Sequence, residues 1–226
     1  MRMTRAILVG CFLLMSFSGS LPAAPLAQEM VLRALPLKAD PAHGRILFVK
    51  HCASCHGRSA YGNGPREVPS LAGQHEYFLL QQLARIATLD RALQEMHEIL
   101  RRPDVDQAQS LRDLAGYLAG LQRSPDPEHG DKTSLPAGAR IYAGSCVGCH
   151  DGNGEGNNKD PIPMVGGQHY HYLLARLRTF GNQHSSVTEP PILEFTAALN
   201  DTERQAVADY ISRLPGRPAA TKGSTP

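Results

Sequence analysis

A five-residue pattern, Cys-x-x-Cys-His, occurs twice in this chain and constrains it more than any other feature. The copies span residues 52–56 and 146–150, so 94 residues separate them (146 − 52 = 94). Two thiols one helical turn apart can add to the two vinyl groups of a haem, and the histidine that follows then faces the iron. A lone Cys-x-x-Cys also occurs as a disulfide, a redox pair or half of a zinc site, but the adjacent histidine and the repetition favour haem. We therefore predict two covalently bound haem c groups, attached at Cys52, Cys55, Cys146 and Cys149, with His56 and His150 as proximal iron ligands.

The sequence around the motif is duplicated as well. A short helix is predicted before the first motif, with Asp40 as its N-cap, and the second motif is preceded by a similar segment. Loops rich in glycine and proline follow both motifs and end in Gly-Gln-His at residues 73–75 and 167–169, still 94 residues apart. Amphipathic helices are predicted next, over residues 76–88 and 170–180. The repeat therefore covers whole domains rather than the motif alone.

The predicted boundaries follow from shifts in composition. Residues 1–27 combine a basic start, an apolar run and a region of small residues, which predicts a cleaved secretory signal peptide. The two domains are predicted over residues 28–121 and 137–214, and the second closing helix begins from a cap at Asn200 or Asp201. The polar, proline-rich residues 122–136 are predicted to be a linker, and residues 215–226 a disordered tail.

The cysteine content and the charge of the chain limit which cellular compartment and which partners are expected. Of the five cysteines, four belong to the motifs and Cys11 lies in the leader, so we expect no disulfide in the mature chain. Without Arg2 and Arg5 the 23 basic residues become 21, equal to the 21 acidic ones. This balance indicates neither nucleic acid nor a broad anionic membrane surface as a partner. Export to the periplasm agrees with covalent haem.

The sixth iron ligand decides between electron transfer and chemistry on a bound molecule. In the first domain we predict Met96, which lies forty residues after His56 and is the only methionine between Cys52 and the linker. A thioether is a neutral ligand that favours ferrous iron and raises the reduction potential. His97 is its competitor. His51 and His75 are interpreted as surface or loop residues.

The second domain departs from this pattern. By analogy with haem domains of this kind, a methionine ligand is expected seven residues before Leu199, and that position holds Ile192, which cannot bind iron. His184 in the variable stretch is the predicted ligand. The alternatives are Met164, which lies on the proximal-side loop, and an open five-coordinate iron whose apolar distal face includes Ile192. His169 and His171 are weaker candidates because they start a helix.

With these motifs the chain resembles the dihaem cytochromes c of the cytochrome c4 family over roughly residues 40–215. The resemblance implies an all-α fold of two tandem class I cytochrome c domains related by a pseudo-twofold axis. It also implies haems close enough to exchange electrons, and periplasmic electron transfer, often to a terminal oxidase. The implied partners are redox proteins: a quinol-cytochrome c reductase, a terminal oxidase or a dehydrogenase. Such partners would also account for any peripheral membrane association.

Three functions are compatible with this sequence. The first is an electron carrier in which neither haem binds a substrate. The second is the cytochrome subunit of a periplasmic dehydrogenase, for example a sulfide-oxidising flavoprotein, whose domain plan this chain also resembles. The third is an enzyme or gas sensor that uses an open iron at His150. We expect the electron carrier rather than an enzyme.

Overall fold

The computed structural model describes residues 23–88, 93–182 and 190–216. Within these residues the chain is all-α, as predicted, and contains no strand beyond two isolated bridges. The helices are α1 (Ala23–Ala34), α2 (Pro41–His51), α3 (Ala53–His56), α4 (Glu76–Thr88), α5 (Gln94–Leu100), α6 (Ala108–Ala119), α7 (Leu135–Ser145), α8 (Val147–His150), α9 (Tyr170–Asn182), α10 (Pro190–Ala197) and α11 (Asp201–Ser212). No described helix is both long enough and apolar enough to cross a bilayer.

The helices form two copies of one arrangement, α2–α6 and α7–α11, and this confirms the tandem domains. In each copy the helix before the motif crosses the closing helix at a glycine. A Cβ atom added to Gly44 would lie 2.1 Å from the carbonyl oxygen of Asp113, and one added to Gly138 would lie 2.2 Å from that of Ala206. Because no side chain fits there, the two helices of each domain approach closely and hold the motif against the domain core.

Polar side chains fix where the principal helices begin. The Asp40 carboxylate accepts hydrogen bonds from the backbone N–H groups of Ala42 and His43, which confirms it as the N-cap of α2. Asn200, rather than Asp201, caps α11, and it forms a reciprocal capping box with Glu203. These caps set where two helices begin. One is α2, which leads into the first motif, and the other is α11, which closes the second domain.

The two domain cores differ in extent. The first draws on five helices, α1, α2, α4, α5 and α6, of which α1 packs on α4 and buries Ala27, Val31 and Ala34. The second core contains six buried apolar side chains among the described residues, namely Tyr142, Leu173, Leu174, Val207, Ala208 and Ile211. The predicted leader boundary at residue 27 falls inside α1, and residues 1–22 lie outside the described part of the chain.

The segment between the domains packs against the second domain. The backbone N–H groups of Gly130 and Lys132 donate to the buried carboxylate of Asp209, at 3.0 and 2.8 Å. The Arg123 guanidinium donates to the carbonyl oxygen of Pro215 at 2.7 Å and also to that of Gly166. Polar groups of this segment therefore form hydrogen bonds with the second domain and are not left to solvent alone. Beyond residue 216 the predicted tail lies outside the described residues.

Candidate cofactor sites

Each Cys-x-x-Cys-His motif folds into a single helical turn, α3 or α8, that is entered directly from the preceding helix. Cys52 and Cys146 are half-buried, whereas Cys55 and Cys149 are exposed, and none of the four forms a disulfide. Burial, with a smaller contribution from the neighbouring thiol, raises the pKa of Cys52 and of Cys146 to about 11. Each motif therefore presents one sheltered and one accessible thiol, both available for thioether bonds.

The histidine of each motif is held in one tautomer by a backbone carbonyl. Nδ1 of His56 lies 3.2 Å from the carbonyl oxygen of Pro69, and Nδ1 of His150 lies 3.0 Å from that of Pro163. A carbonyl oxygen can only accept, so Nδ1 carries the proton and Nε2 keeps its lone pair. Burial lowers the pKa of both rings, opposed in part by these hydrogen bonds. A neutral imidazole with Nε2 free, beside two thiols, is the donor set that haem c requires.

The candidate sixth ligand of the first domain lies on the short helix α5. Met96 is half-buried there, and α5 packs on α4. Nδ1 of the competing His97 is 2.8 Å from the carbonyl oxygen of Ile86 on α4. The two residues are thus adjacent on one helix, and His97 is the one whose side chain is hydrogen-bonded to a backbone carbonyl of α4.

Of the main candidates in the second domain, the structure describes the surroundings of Met164. His184 lies outside the described residues, as does the side chain of Ile192. Met164 is buried and directly follows Pro163, whose carbonyl oxygen faces Nδ1 of His150. This places Met164 next to the proximal carbonyl, on the side of the ring remote from Nε2.

Both weaker candidates in the second domain are occupied by other partners. Nδ1 of His169 accepts from the N–H of Glu128 at 3.0 Å, so its Nε2 is protonated and donates to the carbonyl oxygen of Tyr61 at 2.7 Å. His171 is exposed and pairs through Nδ1 with the Glu128 carboxylate. Neither ring is arranged as an iron ligand.

The interpretation of His51 and His75 as surface or loop residues was wrong for His51, whereas His75 does lie in a loop but not on the surface. His51 is buried at the end of α2, and its Nε2 lies 2.9 Å from the Asp104 carboxylate. His75 is buried as well, with Nε2 2.7 Å from the carbonyl oxygen of Glu155 in the other domain. In both cases a partner distant in the sequence covers the ring, which the local polarity of the sequence does not reveal.

Two glutamines form the centre of the contact between the domains, and they are equivalent in the repeat. The Gln168 side chain accepts from the N–H of Ser70 and donates to its carbonyl oxygen, both at 2.9 Å. The Gln74 side chain likewise accepts from the N–H of Met164 at 2.9 Å and donates to its carbonyl oxygen at 2.8 Å. Each domain therefore clamps the residue that follows the proximal carbonyl of the other.

The histidines that follow these glutamines repeat the symmetry. His75 contacts the carbonyl oxygen of Glu155, and His169 contacts that of Tyr61, at 2.7 Å in each case. Glu155 and Tyr61 are again 94 residues apart (155 − 61 = 94). Sequence reasoning noted the repeated Gly-Gln-His but did not assign it to an interface. The repetition was the available signal, since a matched polar pair in both copies is what a pseudo-twofold contact requires.

Comparison with known proteins agrees with this architecture. The family model described as "Cytochrome c" matches twice, at residues 41–122 and 135–215, which together make up well over half of the chain. The chain is 30% identical over 182 residues to "Cytochrome c4" of Azotobacter vinelandii, covering 72% of this chain and 84% of that protein. It is also 28% identical to "Thiosulfate dehydrogenase electron acceptor" of Thiomonas intermedia, covering 74% of this chain and 80% of that protein.

A solved structure shows the same arrangement of domains. The crystal structure of reduced recombinant cytochrome c4 from Pseudomonas stutzeri matches with a TM-score of 0.68 and 29% identity. The match covers 78% of this chain and 100% of that one. Both domains therefore lie within a known tandem fold.

Proposed function

Because the chain belongs to the cytochrome c family, as a dihaem electron-transfer protein of the cytochrome c4 type with two covalently bound haem c groups, we propose that it carries electrons in the periplasm between a respiratory donor and a terminal acceptor. The observation that carries the proposal is the pair of equivalent proximal sites, each with two thiols and a neutral imidazole, joined by one symmetrical interface. Two fixed redox centres in one chain are suited to relaying single electrons.

We propose the following roles for the motif residues. Cys52 and Cys55 would hold one haem through thioether bonds, and His56 would ligate its iron through Nε2. The equivalent residues Cys146, Cys149 and His150 would hold the second. Haem supplies a one-electron couple at each site. The carbonyl contacts at Nδ1 support this assignment, because they orient the rings and increase the basicity of Nε2.

The distal ligands distinguish the two sites in this proposal. Met96 would complete the first haem and favour its ferrous form. For the second haem we propose His184, because Met164 adjoins the proximal carbonyl rather than the opposite side of the ring. A histidine in place of methionine would lower the potential of the second haem relative to the first. Electrons would then pass from the second domain to the first.

The proposed compartment is the periplasm. Support comes from the leader-like residues 1–27 and from the use of cysteine in haem motifs alone outside that segment. The proposed partners are a quinol-cytochrome c reductase as donor and a terminal oxidase as acceptor.

A second candidate function is electron acceptance from a dehydrogenase. It is favoured by the similarity to the Thiomonas intermedia protein, whose name describes an electron acceptor of thiosulfate dehydrogenase. The sulfide-oxidising flavoproteins are an alternative donor of the same type. In this version the two haems play the same roles and only the donor differs.

A potentiometric titration followed by visible and near-infrared spectra tests the carrier function. We expect two one-electron waves of different potential, with a Met-to-iron band belonging to the higher one. Carbon monoxide added to the reduced protein should leave both spectra unchanged. A shift in about one haem equivalent would contradict the carrier and favour an enzyme or gas sensor with an open iron.

Reduction rates identify the donor. The oxidised protein is mixed either with purified quinol-cytochrome c reductase or with thiosulfate dehydrogenase. Each enzyme is supplied with its own substrate, and the two enzymes are used at the same concentration. Faster reduction by the reductase supports the respiratory carrier, and faster reduction by the dehydrogenase supports the second candidate.

A further inference from the structure

A single peptide group in each domain takes part in two hydrogen bonds of different kinds. In the first domain, the carbonyl of the Pro69–Ser70 peptide faces Nδ1 of His56 at 3.2 Å. The N–H of the same peptide donates to Oε1 of Gln168, which belongs to the second domain, at 2.9 Å. A proximal histidine of one domain and a glutamine of the other thus share one peptide unit.

The second domain reproduces this arrangement with the roles of the domains reversed. The carbonyl of the Pro163–Met164 peptide faces Nδ1 of His150 at 3.0 Å, and its N–H donates to Oε1 of Gln74 at 2.9 Å. The sharing therefore occurs twice, at equivalent positions, and is not an accident of one loop.

The orientation of each glutamine amide is fixed by its partners. Oε1 of Gln168 accepts two backbone N–H groups, those of Ser70 and of His169, while Nε2 donates to the Ser70 carbonyl. Exchanging oxygen and nitrogen would set donor against donor and acceptor against acceptor. Gln168 is also buried, so water does not readily replace these contacts.

Hydrogen bonds in series polarise one another. When the N–H of a peptide donates to an acceptor, its carbonyl oxygen becomes a better acceptor, and the effect is larger in a buried site. A stronger acceptor at Nδ1 gives the imidazole more anionic character, and the partners of a metal-bound histidine tune the metal in this way. A more electron-donating axial ligand stabilises ferric iron and lowers the reduction potential.

We propose that Gln168 and Gln74 are positioning residues that lower the reduction potential of the haem in the opposite domain, through the peptide unit shared with its proximal histidine. Gln168 acts on the haem at His56, and Gln74 acts on the haem at His150. The inference rests on the proposed function, since it requires both histidines to be iron ligands.

The test compares the two haem potentials in Gln168→Leu and Gln74→Leu with those of the intact dihaem protein. Gln168→Leu should raise the potential of the first haem only, changing its oxidised-to-reduced ratio at a fixed ambient potential by about threefold, which is ~30 mV at 59 mV per tenfold. Gln74→Leu should raise that of the second haem only. The haems are distinguished by the histidine resonances of protein labelled with ¹⁵N-histidine, in which the Nδ1 signal of the affected ring should also shift.

Two further variants separate tuning from loosening of the interface. Gln168→Glu keeps the oxygen that accepts from the Ser70 N–H but loses the donor to the Ser70 carbonyl, so it weakens the clamp while keeping the tuning contact, and it should reverse the upward shift produced by leucine. His169→Leu removes the bonds of the ring to Tyr61 and Glu128 but leaves the Ser70 peptide contact in place, and should cause no selective shift. Equal shifts of both haems in Gln168→Leu, or none in either, would overturn the inference. If the inference fails in this way but the unchanged protein shows two reversible redox waves, the proposed carrier function is still supported. If the unchanged protein lacks the two waves, the carrier function itself is contradicted.

Discussion

The two domains are alike on the proximal side of the predicted haem and differ on the distal side. From the motif to the Gly-Gln-His segment they share one offset of 94 residues, one carbonyl contact to the motif histidine and one glutamine clamp. After that point the spacing falls to 93 residues, as between Tyr117 and Tyr210 of the closing helices (210 − 117 = 93), and Met96 has no counterpart. The haem attachment site and the interface between the domains therefore form a single unit. The two domains differ in the segments that follow α4 and α9.

The cores differ in parallel with the distal sides. The first domain gains buried side chains from α1, and among the described residues the second has no equivalent helix. At matched positions Leu80 is fully buried while Leu174 remains 5% exposed. We expect the first domain to be the more rigid of the two and the second to depend more on its haem.

Removing the thioether should have the largest effect. Met96→Ala takes away a ligand that favours ferrous iron, and we expect the potential of the first haem to fall by on the order of 0.2 V, within the ~0.8 V that axial ligands span. Potentiometry measures the change, and the near-infrared Met-to-iron band should disappear. Met164→Leu is the control and should keep the band. Loss of the band in the control instead would move the assignment to Met164.

Exchanging the candidate histidine tests the distal side of the second domain. His184→Ala should open that iron, so the reduced variant binds carbon monoxide at about one haem equivalent, whereas the unchanged protein binds none. His171→Ala removes an exposed histidine of the same domain and should leave carbon monoxide binding absent. If His184→Ala leaves the spectrum unaltered, His184 is not a ligand and the two sites differ in another way.

Matched leucines measure the difference between the cores. Leu80→Ala should destabilise the first domain by about 3 kcal/mol and Leu174→Ala the second by about 2 kcal/mol, because a larger group of buried neighbours surrounds Leu80. Denaturant unfolding, followed by the visible spectrum of each haem, gives the two values. A larger loss at Leu174 would show that the second core is packed more tightly than the described residues indicate.

A surface ion pair should give the smallest effect. Arg178 donates to both oxygens of Asp201, at 2.7 and 2.8 Å, and this contact lowers the pKa of Asp201 to about 2. Since the folded pKa lies below the ordinary 3.8, the pair stabilises the second domain above about pH 4, and the contribution is lost as the pH falls towards 2.

Asp201→Asn should therefore lower the thermal midpoint of the second domain slightly at pH 7 and not at pH 2. The first domain should keep its acid response, because the Asp104 pKa is lowered separately by hydrogen bonds from Lys50 and His51. Arg178→Gln should reproduce the neutral-pH loss. A difference that persists at pH 2 would show that Asp201 acts by packing rather than by charge.

Much of this architecture could be predicted from local patterns. Asp40 and Asn200 are helix caps, and the helix predicted over residues 76–88 is observed as α4, because capping and apolar periodicity are short-range properties. The tandem domains and the two haems followed from motif spacing.

Long-range partners could not be predicted in the same way. The burial of His51 depends on Asp104, and that of His75 on Glu155, both more than fifty residues away. Likewise the polar residues of the segment between the domains suggested a linker, yet Gly130 and Lys132 are held by Asp209. Polar groups indicate that partners are needed, but not which segments supply them.

The reciprocal glutamine clamp also limits how such a gene can change. An insertion between Cys52 and Gln74 would displace the clamp on Met164 and the residue that Gln168 clamps, so it would disturb both domains at once. Tolerated insertions and deletions should therefore either occur in both copies together or fall after α4 and α9. The one-residue difference in spacing between the two halves lies in that later region, and it is there that descendants of a duplicated domain can diverge without separating the pair.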